Sequence, residues 1–262
     1  LVDNPIRPLR NRAIQDHYSP GSAFKPLVAI AALQTKQLTE NTYVSAPSSF
    51  RYGNRIYHDH TKTGQGNITI VTAIEQSSNV FFYKQGLALG VDTMALYAKA
   101  LGIGKPTGID LKGEVSGLMP TTQWKKEKRG EPWQEGENLS TAIGQGFVLL
   151  STIQLANAYM GIGNEGLLYK PMVVRRIFDS NNKIIQDFSP VLERDMTDKT
   201  QPYYVAPENF KTVKKGLYAV ANGDHGTARW AKIPGFTVSG KTGTAQVRGF
   251  AADDVYGNCA AR

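Results

Sequence analysis

Apolar residues recur every three or four positions through the first two-thirds of the chain, a pattern that predicts amphipathic α-helices. The clearest helix follows the chain break at Pro20-Gly21 and carries Pro26 in its first turn, where a missing backbone N–H costs little. Its apolar face consists of Phe24, Leu27, Val28, Ala31 and Ala32. The predicted helices are 23–38, 68–75, 80–89, 93–101 and 152–160, with a later one at 210–221.

Runs rich in β-branched residues near the end of the chain predict strands rather than helices. The predicted strands are 173–178, 184–188 and 236–247. An Asn-rich connection at 180–183 indicates that the first two form a hairpin, and 196–208 and 222–227 predict a connector and a tight loop. The sequence has no run near the roughly 18 apolar residues of a membrane span, and its start does not resemble a signal peptide.

Composition indicates a globular protein. The 262 residues are 41% hydrophobic, which suits one large core or two interleaved subdomains. The single cysteine, Cys259, excludes an internal disulfide and a cysteine cluster for metal. The run His58-Asp59-His60 could suggest a metal site, but alternate side chains in a polar loop more often contact solvent, so we expect no metal and no cofactor.

A net charge of +8 raises the question of nucleic-acid binding. The basic residues are scattered, with short clusters such as Lys125-Lys126 and Lys128-Arg129, and no basic motif with interleaved aromatic residues is present. We therefore expect no nucleic acid as a partner. A basic surface suits anionic peptides or an anionic membrane face equally well.

Ser22 and Lys25 are three residues apart at the start of the first long helix, so both side chains project from one face. A serine hydroxyl attacks poorly unless a neighbour accepts its proton, and a lysine can do so when burial or a second cation lowers its pKa. Lys241 is a candidate for that second cation. Ser22 is therefore a candidate nucleophile, although a serine at a helix start is also a common N-cap.

Two later motifs complete a set typical of serine acyl transfer, in which S-x-x-K is followed by S-D-N and K-T-G. Here the second motif is Ser77-Ser78-Asn79, with serine in place of the central aspartate, and the third is the run Lys-Thr-Gly-Thr at 241–244. Taken alone, Asn79 could be a turn or cap residue, and the two threonines could reflect strand propensity.

Each motif is weak by itself, because the chain contains second copies of two of them. Ser180-Asn181-Asn182-Lys183 also fits S-x-x-K, but it is the predicted hairpin turn. The K-T-G at 62–64 precedes Ser77 and is followed by a loop-like sequence. Only the copies at Ser22 and Lys241 have the right order and context.

The sequence around these motifs resembles class B penicillin-binding proteins, the D,D-transpeptidases that cross-link bacterial peptidoglycan. The resemblance covers almost the whole chain and is strongest at 18–26, 75–83, 107–111, 144–146 and 240–247. Two further stretches, 57–60 and 118–133, are most similar to the elongation-type subgroup, penicillin-binding protein 2.

The resemblance implies a role for each motif position. Ser22 would attack the carbonyl between the last two D-alanines of a stem peptide, and Lys25 would accept its proton. Ser77 would relay a proton toward the leaving D-alanine, and Asn79 would hydrogen-bond the substrate and Lys25. Lys241 would provide a positive field beside Ser77, and the backbone N–H groups of Ser22 and Thr244 would form the oxyanion hole. The implied substrate-binding residues are Thr242, Gly243 and Thr244.

The resemblance also implies an α/β (α+β) fold, with an antiparallel sheet flanked by helices and a mostly helical subdomain. Residues 1–262 would then be one transpeptidase domain that lacks its last strands and C-terminal helix, as well as a membrane anchor and a pedestal domain. The expected partners are peptidoglycan stem peptides, β-lactams, a membrane glycosyltransferase and scaffold proteins of the elongation complex. The parent protein would be anchored in the inner membrane and face the periplasm.

Two other functions on the same scaffold remain open, a serine β-lactamase and a β-lactam-sensing receptor domain. A hydrolase of class A needs a carboxylate to activate the deacylating water. The acidic stretch 131–138 has glutamine, Gln134, four residues before Asn138, where a glutamate would resemble that element. The overall similarity to elongation-type enzymes argues against the sensor.

Overall fold

The computed structural model describes residues 7–245, and helices supply most of its regular structure. The α-helices are α1 Arg12–Gln15, α2 Lys25–Gln34, α3 Ile70–Glu75, α4 Asn79–Ala100, α5 Thr122–Arg129, α6 Glu137–Ala142, α7 Thr152–Gly163 and α8 Pro207–Asn222. Short 3₁₀ helices span Gly21–Phe24 and Arg229–Ala231. The strands are β1 Val44–Ala46, β2 Ser49–Tyr52, β3 Arg55–His58, β4 Gly66–Ile68, β5 Leu167–Tyr169, β6 Arg176–Phe178, β7 Ile184–Asp187 and β8 Leu192–Asp195.

Helix α2 lies at the centre of the core. The sequence pattern predicts one apolar face, but every residue from Lys25 to Leu33 is buried, so α2 is covered on all sides. It packs against α4 and α8, α3 packs against α8, and α4 packs against α6. A helix enclosed in this way holds the residues at its N-terminus in a fixed position.

Helix α4 combines the two helices predicted at 80–89 and 93–101. The backbone bends at Gly90, which has φ 71° and ψ 160°, values outside the helical region. Both predicted helices are therefore confirmed as two segments joined at a kink. The predictions at 68–75, 152–160 and 210–221 correspond to α3, α7 and α8, whereas α5 and α6 were not predicted.

All described strands pair antiparallel, in four separate two-stranded sheets: β1 with β4, β2 with β3, β5 with β8, and β6 with β7. The predicted hairpin is confirmed by the last pair. The Asp179 carboxylate accepts hydrogen bonds from the backbone N–H groups of Asn181 and Lys183, which closes the turn. This S-x-x-K copy is thus a turn, as the sequence indicates.

The strand predicted at 236–247 is wrong over its described part. Phe236 forms only an isolated bridge with Ile233, and 237–245 join no sheet. β-Branched residues favour a strand only when a neighbouring strand is available to pair with them. Here the partners come from α8: the backbone N–H of Gly240 donates to the Leu217 carbonyl, and Asn222 Nδ2 donates to the Val238 carbonyl.

The larger sheet that the resemblance implies is not formed by the strands at 7–245, while the mostly helical part is confirmed. Gln246 and Val247, the end of the predicted strand, lie outside the described residues. Among the helices that the structure describes, none has the length and apolar character needed to span a bilayer.

Candidate active site

Ser22 lies in the 3₁₀ turn that leads directly into α2. Neither this turn nor α2 has a side-chain cap: the residues at their cap positions, Pro20 and Phe24, make no such hydrogen bond. The half-buried Ser22 side chain therefore does not serve as an N-cap, the alternative that the sequence leaves open. Lys25 follows as the first residue of α2.

Lys25 connects the first motif to the second. Its side chain is fully buried, which is rare for lysine, and Nζ contacts two residues more than 50 positions away along the chain. Nζ donates to the Ser77 carbonyl at 2.6 Å and to Asn79 Oδ1 at 2.7 Å, and it lies 3.3 Å from Ser77 Oγ. Burial lowers the pKa of Lys25 well below its usual range, the nearby Lys241 lowers it further, and the Asp59 carboxylate acts in the opposite direction.

The S-x-N motif forms a tight turn before α4. Ser77 has φ 59°, in the left-handed region that few non-glycine residues adopt, and this turn directs its carbonyl to Lys25. Ser78 is the N-cap of α4, where Oγ accepts from the backbone N–H of Phe81. The capping role thus belongs to Ser78, and the Asn79 side chain contacts Lys25 instead.

The K-T-G segment runs beside the Ser22 turn. A Cβ built on Gly243 would lie 3.3 Å from the Pro20 carbonyl oxygen, and one on Gly21, which has φ 56°, would lie 2.1 Å from the Thr244 carbonyl oxygen. At Gly21, only glycine permits this close approach of the two backbones. The exposed Gly243 and Thr244 are therefore next to the candidate nucleophile.

Lys241 is half-buried, and the loss of solvent lowers its pKa to about 8. Its Nζ lies 3.2 Å from Thr242 Oγ1, which in turn is 3.0 Å from Thr227 Oγ1. Within residues 7–245, Lys241 makes no hydrogen bond to Ser77. It acts on the Lys25 site through its charge rather than by contact.

Three further residues support the site and were not singled out by the sequence motifs. The Gly144 carbonyl accepts from the backbone N–H of Gly21 at 3.0 Å, and the Tyr159 hydroxyl donates to the Ala23 carbonyl at 2.9 Å. The third, Asp59, was assigned no role except as a possible metal ligand, yet its buried carboxylate reaches the S-x-N turn. The resemblance at 57–60 and 144–146 included Asp59 and Gly144 without indicating these contacts, because they join distant parts of the chain.

The second K-T-G, at 62–64, lies in a loop. A Cβ on Gly64 would lie 2.6 Å from the backbone nitrogen of Ser48, so this glycine packs against the link between β1 and β2. Among residues 7–245, no three or more His, Cys, Asp or Glu side chains are grouped so that they could hold a metal ion.

A cavity of about 360 Å³ opens beside the Ser22 turn. Pro20 and Ala23 line one side, Lys241 and Gly243 line another, and Leu150 and Leu155 add an apolar wall. The cavity thus offers a cation beside apolar surface, a combination that suits a ligand with a carboxylate and small apolar groups.

Comparison with known proteins identifies the family of this chain. The family model described as the penicillin-binding protein transpeptidase domain matches residues 1–255. The chain belongs to this family. The peptidoglycan D,D-transpeptidase MrdA of Escherichia coli strain K12 is 33% identical over 262 residues, which cover 98% of this chain and 40% of that protein. Stage V sporulation protein D of Bacillus subtilis strain 168 is 30% identical over 240 residues.

Solved structures of penicillin-binding protein 2 have the same fold. The Pseudomonas aeruginosa protein in complex with WCK 5153 has a TM-score of 0.80 and 31% identity, over 94% of this chain and 54% of that one. The Helicobacter pylori protein in complex with MreC has a TM-score of 0.81 and 31% identity, over 94% and 43%. These comparisons confirm the family and fold expected from the sequence. The chain spans about two fifths of the length of the MrdA relative.

Proposed function

We propose that this chain is the catalytic domain of a peptidoglycan D,D-transpeptidase that acts in cell elongation through an acyl-enzyme at Ser22. The observation that carries the proposal is the position of Lys25, one turn of helix after Ser22 and bound to both Ser77 and Asn79. Burial and the charge of Lys241 lower the pKa of Lys25 well below its usual range, which favours the neutral amine that a general base requires.

In the first step, Ser22 Oγ bonds to the carbonyl carbon of the penultimate D-alanine while Lys25 takes the hydroxyl proton. The backbone N–H groups of Ser22 and Thr244 stabilise the oxyanion. The C–N bond to the terminal D-alanine then breaks, and the departing nitrogen gains a proton through Ser77. The Ser77 hydroxyl lies 3.3 Å from Lys25 Nζ and both donates and accepts at one oxygen, so it suits this relay.

The terminal carboxylate of the donor peptide would bind in the cavity beside Lys241. Lys241, which lines this cavity, supplies the cation that a carboxylate needs, and the hydroxyls of Thr242 and Thr244 in the same segment would add donors. Asn79 would pair with the substrate backbone. In the second step, an amine of another stem peptide attacks the ester carbon and gives a proton to Lys25, which has already passed the first proton on through Ser77. The ester C–O bond then breaks, and Lys25 returns a proton to Ser22 Oγ.

Transfer of the acyl group to an amine is favoured over hydrolysis, because the acidic side chains of 131–138 have other partners. Glu137 accepts two hydrogen bonds from Lys125 Nζ and one from the backbone N–H of Gln134. Glu135 accepts from the Tyr52 hydroxyl, and Glu131 is mostly exposed, 3.7 Å from Lys125. Within the described chain, none of the three contacts Ser22 or Lys25, so none is placed to activate a deacylating water.

Intact-mass measurement after exposure to penicillin tests the proposal. We expect one adduct per chain, located at Ser22 by peptide mapping and persistent for minutes to hours. Ser22→Ala should form no adduct, and the matched control Ser180→Ala, in the hairpin turn, should label normally. An adduct elsewhere would contradict the site, and clearance within seconds with repeated turnover would indicate a β-lactamase.

For the longer protein of which we expect this chain to be the transpeptidase domain, we propose the partners and location of elongation enzymes. One relative is described in complex with MreC, and a 32% identical neighbour belongs to a peptidoglycan synthase complex that coordinates polymerisation and cross-linking. We accordingly propose a membrane glycosyltransferase and elongation scaffold proteins as partners, at the periplasmic face of the inner membrane. Co-purification of the tagged full-length protein with such a glycosyltransferase would test this.

A further inference from the structure

Asp59 is a buried carboxylate that belongs to none of the three motifs. It follows β3, and its side chain is completely shielded from solvent. Its Oδ2 accepts hydrogen bonds from Ser78 Oγ and from the backbone N–H of Val80, both at 2.9 Å. A buried charge is costly unless it is well bonded, so a carboxylate in this place indicates a function beyond packing.

These two hydrogen bonds fix the S-x-N turn from outside the motif. Ser78 occupies the position where the S-D-N form of the motif carries its own carboxylate. Here the Ser78 hydroxyl instead donates to a carboxylate brought in from the end of β3, and the Val80 bond ties the first turn of α4 to the same group. Ser77 and Asn79, the two partners of Lys25, lie on either side of Ser78.

The titratable groups that interact with Asp59, or with Lys25 beside it, lie on four elements. His60, on the same loop, places Nδ1 at 2.8 Å from Asp59 Oδ1, and the phenol of Tyr83 in α4 is close enough for Asp59 to raise its pKa. Lys25 in α2 is influenced by the Asp59 charge, and Lys241 in the K-T-G segment acts on Lys25 with the opposite sign. Burial raises the pKa of Asp59, but the hydrogen bonds from His60, Val80 and Ser78 outweigh it and lower the pKa overall. Asp59 is therefore ionised at neutral pH.

We infer that Asp59 is a positioning residue for acyl transfer: through Ser78 and the Val80 amide it holds the S-x-N turn against Lys25. Its negative charge also opposes the loss of the Lys25 proton, against the larger effects of burial and Lys241. The inference rests on the proposed function of Lys25 as base. Two effects are expected from its loss, because geometry and charge act separately. A loosened turn slows acylation at every pH, whereas a missing negative charge makes Lys25 easier to deprotonate.

The test is the pH profile of the rate at which penicillin acylates Ser22. In the unaltered chain this rate should rise with pH as Lys25 becomes neutral. Asp59→Asn should lower the high-pH plateau and also move the rising limb to lower pH. Ser78→Ala keeps the carboxylate and loses one donor, so it should lower the plateau by roughly three- to tenfold and leave the limb in place. Asp187→Asn, which removes a surface carboxylate of the β6–β7 hairpin, is the matched charge control.

If Asp59→Asn lowers the acylation rate at high pH but does not change the pH at which the rate rises, the electrostatic role of Asp59 is refuted. Asp59 would then only hold the S-x-N turn in place. Should Asp59→Asn fail to fold, Ser78→Ala still decides the positioning role, since an unchanged plateau would contradict it. Failure of the unaltered chain to acylate at Ser22 is a different result and would refute the proposed function itself.

Discussion

Gly144 is a position where a single methyl group should disturb the Ser22 turn from outside that turn. It has φ 70°, and a Cβ built there would lie 2.3 Å from the Gly21 carbonyl oxygen and 2.6 Å from Phe24 Cβ. An alanine in the left-handed region costs about 1–2 kcal/mol. Displacement of the two packed neighbours costs a further ~1–3 kcal/mol, as for other overpacked sites.

Gly144→Ala should therefore lower the free energy of unfolding by about 2–5 kcal/mol, a large part of the ~5–15 kcal/mol typical of a domain. At ~2–4 °C per kcal/mol, the melting temperature should fall by roughly 4–20 °C. The residue that must move is Gly21, next to Ser22, so acylation by penicillin should also slow by about 10- to 100-fold.

Urea unfolding and the acylation rate, measured well below the melting temperature, test both effects. Gly163→Ala is the matched control, because Gly163 ends α7 and a Cβ there would meet no heavy atom within 4 Å. That change should leave acylation unaltered and stabilise the chain by up to about 1 kcal/mol. If Gly144→Ala matched its control in stability and rate, the packing of Gly144 against the Ser22 turn would be refuted.

Three further predictions concern single side chains. Tyr159→Phe leaves the Ala23 carbonyl without its donor, so it should cost about 1 kcal/mol in urea unfolding and slow acylation, whereas the exposed Tyr218→Phe should do neither. Lys125→Met removes the buried partner of Glu137 and should lower the free energy of unfolding by ~1–3 kcal/mol. The neighbouring exposed Lys126→Met should lower it by less than about 0.5 kcal/mol, and equal losses would contradict the buried pair. Lys241 has a folded-state pKa of about 8, below its unfolded value, so the cost of burying its charge is fully present below pH 8 and is relieved as the pH rises. Stability should therefore increase from about pH 8 to 9.5. Lys241→Met should make this rise smaller, although buried Lys25 still contributes to it. The same change should move the pH dependence of the acylation rate to higher pH, opposite to Asp59→Asn, and a move to lower pH would show that Lys241 does not lower the pKa of Lys25.

Local sequence determined the features that depend on near neighbours. The three-residue spacing of Ser22 and Lys25 at a helix start, the Asn-rich turn at 180–183 and the helices α3, α7 and α8 follow from periodicity and turn chemistry, which act over a few residues. The resemblance to the family was based on the order of the three motifs, and the match to the family model confirms that resemblance.

Tertiary structure decided the features that depend on contact between distant segments. The burial of Lys25 against Ser77 and Asn79, the carboxylate that Asp59 supplies to the S-x-N turn, and the K-T-G segment without a paired strand all require partners that local pattern does not specify. Lys125 shows the same limit: in the sequence it is part of a basic surface cluster, but in the fold it is buried between Glu137 and aromatic rings. Charge and burial are properties of the packed environment, and only the assembled fold creates that environment.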